Sequence, residues 1–324
     1  MSEKPKLKLA LYWAASCGGC EIAVLEINEK LLIVDQVADI LFWPVAVDAK
    51  YDDVRAMPDG HIDVCLFNGG IRNSEQEEIA HLLRRKSKVL VAFGSCANEG
   101  CIPGLANLYT RESILERVYL ATESTDNPGK VLPQTTYQVP EGEIHIPEFY
   151  NTVLALDDVV SVDYYVPGCP PQPHQIWNVL LAVVEGKLPP APAVVGAGDK
   201  TCCDECRRIK NVKKVKRFYR PFEITPDPEI CLLEQGIVCM GPATRSGCGE
   251  GRALCVDANM PCRGCYGPAP GVVDQGAKML SAIASVIDSN DPEEIARIIE
   301  GIPDPAGTFY RFSLSKSLLR RARV

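Results

Sequence analysis

Cysteine is the residue through which this chain could do chemistry. Fifteen stand among its 324 residues, and twelve of them sort into three sets of four. The first is Cys17, Cys20, Cys96 and Cys169. The second is Cys203, Cys206, Cys231 and Cys239, and the third Cys248, Cys255, Cys262 and Cys265. Four thiolates are the ligand set of one [4Fe–4S] cubane, and three cubanes in series make a path for electrons. The pattern points to an electron-transfer subunit with three [4Fe–4S] clusters as cofactors.

Two duller readings compete. Cys₄ zinc sites share this composition, but twelve thiolates in three sets would make an unusual zinc scaffold. Cys17-Gly-Gly-Cys20, between an expected strand and helix, has the form of a thioredoxin-like redox pair. Cys96 and Cys169, each placed after a later strand, count against that. Three cysteines are left over. Cys65 lies in an apolar strand and reads as core, Cys101 has no assigned partner, and Cys202 competes with Cys203 as a ligand.

Composition limits the setting. A net charge of -8 argues against nucleic acid as the main partner, and 46% hydrophobic residues supply a packed core. Lys6 and Lys8 before Leu9–Ala15, with Ala14-Ala15-Ser16-Cys17 following, faintly resemble a lipoprotein export signal; the apolar run is short and Lys8 interrupts its start. No stretch is long enough to span a bilayer. The cytoplasm is the expected compartment, where an odd number of clustered thiols suits metal better than disulfides.

The elements that must position these thiols alternate between strand and helix over residues 1–190. Lys8–Trp13, Ala38–Trp43, Ile62–Asn68, Lys88–Phe93 and Val159–Val166 read as buried strands. Helices are expected over Cys20–Leu32, with Ile22, Leu25, Ile27 and Leu31 inward, and from Ser74, capped with Glu77, to about Arg85. A third opens at Pro173 and ends at Gly186. Such alternation implies an α/β, flavodoxin-like, doubly wound parallel sheet. Cys17 and Cys20 then follow the first strand, Cys96 the fourth and Cys169 the last. All four fall at carboxyl ends, where open parallel sheets bind ligands.

Past a stiff Leu188-Pro-Pro-Ala-Pro linker the character changes. Residues 195–268 hold nine of the fifteen cysteines with little periodicity. So irregular a segment is expected to bury little apolar area and to draw its folding energy from metal. Helices return over Asp274–Ile287 (Met279, Ile283 and Val286 inward) and Pro292–Ile299. The expected division is 1–190, a flavodoxin-like domain, and 191–324, an irregular cysteine-rich iron–sulfur domain with C-terminal helices.

Outside the cysteines, Glu21 reads either as a proton relay beside the first set or as a solvated first-turn glutamate. His61, His81, His145 and His174 stand away from the cysteine-rich segment and form no catalytic constellation. Arg207, Arg208, Lys210, Lys213, Lys214, Lys216, Arg217 and Arg220 form a basic run, either a solvated face or a docking surface for an acidic electron acceptor. Arg320, Arg321 and Arg323 give a second, terminal one.

The motifs carry a resemblance. Cys17–Glu21 (CGGCE), Phe67–Ile71 (FNGGI), Gly94–Cys96 (GSC) and Pro167–Pro171 (PGCPP) resemble the first domain of nickel–iron hydrogenase small subunits. CLLEQG from Cys231, GPATRSGC ending at Cys248 and NMPCRGCYGP from Asn259 are similar to the cytoplasmic methyl-viologen-reducing subgroup. The resemblance runs from about Leu9 to Pro268. The alternative is an iron–sulfur subunit of another oxidoreductase complex, related to the complex I cluster subunit. Those relatives typically have adjacent paired cysteines in this domain, which Cys17 and Cys20 are not.

It implies that Cys17, Cys20, Cys96 and Cys169 hold a proximal cluster, Cys248, Cys255, Cys262 and Cys265 a medial one, and Cys203, Cys206, Cys231 and Cys239 a distal one. It places Cys203 where membrane-bound and periplasmic relatives have histidine, and Cys255 where many have proline, implying three low-potential cubanes. The implied partners are a large subunit that splits H₂, a small iron–sulfur adaptor and heterodisulfide reductase or ferredoxin, a setting that belongs to methanogenesis. No ferredoxin-type cysteine run follows the C-terminal helices, which counts against direct deazaflavin reduction.

Overall fold

A computed structural model describes residues 5–211 and 214–320. Ten strands form among the described residues: β1 Leu7–Trp13, β2 Ala38–Phe42, β3 Ile62–Asn68, β4 Ile71–Asn73, β5 Ser87–Phe93, β6 Thr136–Val139, β7 Gly142–His145, β8 Phe149–Leu154, β9 Tyr164–Val166 and β10 Ala193–Val194. Six build one sheet in the order β10-β9-β5-β3-β1-β2, every pairing parallel. From β2 to β9 this is the flavodoxin-like order, with its switch point between β1 and β3.

Strand alternation builds the two cores. Leu9, Leu11, Val64, Leu66, Val91 and Phe93 face one side, against Ile176, Val179 and Leu180 of the helix Pro173–Val184. Ala10, Tyr12, Cys65, Phe67, Leu90 and Ala92 face the other, against Ile79, Ala80, Leu82 and Leu83 of the helix Ser74–Lys86. Apolar residues on both faces are what a helix-covered parallel sheet requires.

Register fixes the site. Trp13 pairs with Asn68, Asn68 with Phe93, and Phe93 with Val166. The carboxyl ends of four neighbouring strands thus stop on one row, and the loops holding Cys17, Cys20, Cys96 and Cys169 leave from that edge.

Several expectations change in detail. The helix from Cys20 breaks after Leu25 and resumes over Lys30–Val37. Asn28 takes a left-handed conformation (φ 55°) between them, its side-chain amide donating to the Glu26 carbonyl. Ile22 and Leu25 face outward, while Cys20, Glu21, Ala23 and Val24 are buried. The N-cap of Ser74–Lys86 is Asn73, whose Oδ1 accepts from the Gln76 amide, while Gln76 Oε1 accepts from the Arg72 amide. The last expected strand shrinks to β9, because residues 159–163 continue the turn and irregular chain that follow Leu156–Asp158. Beyond the proline-rich stretch β10 adds to the sheet edge.

The cysteine-rich half has more apolar packing than its sequence suggests. Phe218, Leu232, Ile237 and Met240 cluster with Met279, Ile283, Val286, Ile298, Phe309 and Leu314. The C-terminal helices Gln275–Val286 and Pro292–Ile299 supply the apolar faces that the irregular segment lacks, so its folding does not rest on metal alone. Asp274 caps the first of them through Ala277. Among the contacts that join the halves, Tyr266 donates its hydroxyl to Gln175 Oε1 at 2.7 Å, Ser95 Oγ donates to the Cys265 carbonyl, and Lys316 Nζ donates to Asp157 and Asp158 at 3.0 Å.

Candidate metal centres

The first set gathers at the sheet edge. Cys17 is exposed and Cys20 buried, at the start of the helix Gly19–Leu25. Cys96 sits in the short helix Ser95–Glu99, directly after β5. Ser95 N–H donates to the Gly168 carbonyl at 2.8 Å, tying the Cys96 and Cys169 loops together. Gly94 passes so close to Cys20 Sγ that a Cβ at its φ of 82° would collide with the sulfur. Burial, then the neighbouring Cys96 and Cys169, push the Cys20 thiol pKa well up.

The second set lines one cavity of about 450 Å³, with Lys210, Gly241 and Pro242. The turn Cys202–Asp204 is held by Asp204 Oδ2, which accepts from the Thr201 amide and hydroxyl at 2.8 and 2.7 Å. The Cys231 amide donates to the Ile209 carbonyl at 2.9 Å. A Cβ on Gly241 would stand 2.9 Å from Cys203 Sγ and 3.7 Å from Cys239 Sγ, so glycine leaves the space beside both sulfurs open. Burial raises Cys203 to about 12, against the pull of Lys210.

The third set mixes a buried Cys262, half-buried Cys248 and Cys265, and an exposed Cys255 in the turn Leu254–Asp257. Cys202 is buried beside Cys203 on the wall of the second-set cavity, and Cys248 and Cys262 of the third set also perturb its thiol.

The sets also meet in a definite succession. Cys265 packs in the cluster of Cys96, Cys101, Cys169 and Phe312, joining the third set to the first. The Met240 amide donates to the Cys262 carbonyl at 2.9 Å and Cys239 and Cys262 lie in one buried cluster, joining the third set to the second. The third set lies between the other two.

Glu21 is buried, not solvated. Its carboxylate accepts from Trp43 Nε1–H at 2.6 Å and Asn68 Nδ2–H at 3.3 Å, and burial raises its pKa against both bonds. The basic run divides. Arg207, Lys210, Lys214, Lys216, Arg217 and Arg220 are exposed, and Lys213 lies outside the described residues, as do Arg321 and Arg323. Arg208 is interior: its guanidinium donates to the carbonyls of Asp227 and Ile230 at 2.6 and 2.8 Å and to Asn259 Oδ1. His81 and His145 lie beside Glu77 and Glu143 on exposed surface. His61 meets Lys8, and His174 occupies the first turn of Pro173–Val184. What the sequence did not assign is where two further thiols fall, Cys101 at the first set and Cys202 on the wall of the second-set cavity.

All-sulfur donors in largely buried surroundings, with a cavity beside the second set, fit iron–sulfur clusters. Among the described residues no three His, Cys, Asp or Glu side chains are arranged to hold a metal ion.

Known proteins agree with this geometry. A family model described as the 20 kDa subunit of NADH ubiquinone oxidoreductase matches residues 17–183. That match, over half of the chain, sets the class: the chain belongs to the family of the 20 kDa NADH ubiquinone oxidoreductase subunit. The iron–sulfur subunit of the F420-non-reducing hydrogenase of Archaeoglobus profundus is 41% identical over 322 residues, 97% of this chain and 98% of its own. A subunit of the vhu F420-non-reducing hydrogenase of Methanococcus voltae is 39% identical over 316 residues, 98% of each. A chain of an NAD⁺-reducing [NiFe]-hydrogenase in the H₂-reduced state is 31% identical, with a TM-score of 0.50 over 58% of this chain and 96% of that one. A chain of the [NiFeSe] hydrogenase from Desulfovibrio vulgaris Hildenborough, 15% identical with a TM-score of 0.50, covers 83% of this chain and shares the fold. Within the class, the chain belongs to the nickel–iron hydrogenase small subunits, of the F420-non-reducing type. Among the described residues no helix is long and apolar enough to cross a membrane.

Proposed function

We propose that this chain is the cytoplasmic electron-transfer subunit of a nickel–iron hydrogenase. It would relay electrons from H₂ oxidation on a separate large subunit, through three [4Fe–4S] clusters, to a small iron–sulfur adaptor and heterodisulfide reductase or ferredoxin. Such clusters supply one-electron carriers when bound. Cys17, Cys20, Cys96 and Cys169 would hold the first, within residues 1–190. Cys248, Cys255, Cys262 and Cys265 would hold the middle one and Cys203, Cys206, Cys231 and Cys239 the last, within 191–324.

The observation that carries this reading is the succession of packing: Cys169 and Cys265 meet on one cluster with Cys96 and Phe312, and Cys262 and Cys239 share the next, where the Met240 amide donates to the Cys262 carbonyl. Carriers in series require neighbours at both steps. The residues around them keep water out and the thiols aimed: Phe312 packs at the first junction, and Met240 at the second. Glu21, desolvated and fastened by Trp43 and Asn68, is suited to hold and release a proton beside Cys20. Lys210 at the last cavity and the exposed cations after it offer an acidic acceptor complementary charge.

The test is anaerobic isolation through a tag on this chain. A nickel-containing large subunit should co-purify, and the complex should reduce methyl viologen with H₂. A Cys203→Ser variant should keep hydrogen–deuterium exchange on the large subunit while losing most viologen reduction. Isolation without a nickel partner contradicts the proposal.

A further inference from the structure

Two buried cysteines of the sheet half stand outside the proposed ligand sets, and their surroundings differ. Cys65 lies inside β3 among Ala10, Phe67, Ile79 and Leu90, an apolar core position. Cys101 lies among thiols. It is 1% exposed, donates from Sγ to Cys169 Sγ at 3.6 Å, and also contacts Cys96. Phe312 closes the same cluster, with Cys265 beside it.

The turn carrying Cys101 is fastened on both sides. The Gly104 amide donates to the carbonyls of Gly100 and Cys101 at 2.9 and 3.0 Å. Asn107 Nδ2 donates to the Val153 carbonyl and Ser315 Oγ, and its Oδ1 accepts from the Val153 amide. The backbone at Cys101 has φ 48° and ψ -145°, a conformation that L residues seldom adopt. The sulfur is thereby presented to Cys169 by a restrained backbone.

We propose that Cys101 is a reserve ligand of the first set, able to take over the iron otherwise held by Cys169. The inference rests on the reading that this set holds an iron–sulfur cluster. In the exchange the iron–sulfur bond to Cys169 breaks and one to Cys101 forms, while the proton of the Cys101 thiol ends on Cys169. No electron is gained or lost, so no oxidant or reductant is required. A thiol already in van der Waals reach makes the replacement intramolecular, with the high effective concentration this confers. The sulfur that accepts from Cys101 Sγ is that of Cys169, whereas the exposed Cys17 sulfur accepts from the Gly19 amide at 3.4 Å, so the exchange belongs to the Cys169 corner.

The experiment compares four forms of the intact hydrogenase complex, isolated anaerobically: wild type, Cys101→Ala, Cys169→Ala and the double variant. Iron per copy of this chain and the electron paramagnetic resonance of the reduced complex are read. Cys169→Ala should keep about twelve irons and a signal changed in shape, whereas the double variant should fall to about eight. A fall to about eight in Cys169→Ala alone overturns the proposal. Should Cys169→Ala not assemble, Cys101→Ala decides: a chelator should strip its first cluster roughly tenfold faster than from wild type. Equal stripping rates overturn the proposal. Wild type that itself lacks the first cluster sinks the underlying reading instead.

Discussion

A buried thiol in this chain is neutral until something takes its proton. Burial raises Cys20, Cys203, Cys239 and Cys265 above the ordinary cysteine pKa, so near neutral pH their metal-free forms are protonated. Iron needs the thiolates, so cluster assembly must release protons, and binding strengthens as pH rises. Reconstitution of iron-free chain should therefore reach half-saturation at lower iron and sulfide near pH 9 than near pH 6, by about tenfold or more. A titration followed by visible absorption checks this, and a flat profile contradicts it. The two glycines beside sulfurs give a sharper expectation. Gly94→Ala puts a Cβ on Cys20 Sγ at a positive φ, which should cost about 1–3 kcal/mol of stability and remove the first cluster, about four irons. Metal analysis and chemical denaturation read the two effects separately.

Secondary elements deliver these sulfurs, and here the sequence was most legible. Strands β1, β3 and β5 were readable within a residue or two, because a sheet buried on both faces leaves continuous apolar runs such as KVLVAF. Their shared carboxyl edge followed from alternation alone. The break at Asn28 was hidden, because Ile22 and Leu25 keep helical spacing while facing outward. The hairpin of β6 and β7 is almost entirely exposed, so no apolar pattern marks it. Arg208 looked like one more surface cation, since carbonyl acceptors supplied by Asp227 and Ile230 leave no trace in local spacing. Cys101 was legible only as a remainder, because its partner Cys169 is distant in sequence.

At this scale Gln175 is the testable joint. Its Nε2 donates to the Pro167 carbonyl at 2.7 Å, and its Oε1 accepts from Tyr266, linking the Cys169 loop to the residue after Cys265. Gln175→Ala strands a buried hydroxyl and a buried carbonyl, and should cost about 2–4 kcal/mol. Denaturant unfolding checks the magnitude; a change below about 0.5 kcal/mol would mean the halves are held elsewhere.

For the whole molecule, the account depends on three thiol sets in series, with the last in sequence lying in the middle. Chain order is first, second, third; contact order is first, third, second. The fold obtains this by routing Cys262 and Cys265 back between the sheet edge and the Cys239 loop, and the C-terminal helices close the packing behind them. Interrupting the middle should therefore act differently from interrupting an end. Cys262→Ser should abolish electron delivery to viologen at the last site while leaving the first set's iron in place. The magnetic coupling expected between neighbouring reduced clusters should disappear with it, as electron paramagnetic resonance would read.

The central claim is tested most directly by counting iron and acid-labile sulfide in the chain isolated anaerobically from its own complex. Three filled sets predict about twelve of each per polypeptide, beyond any iron on the large subunit. Zinc in their place, or iron far below that number, would contradict it.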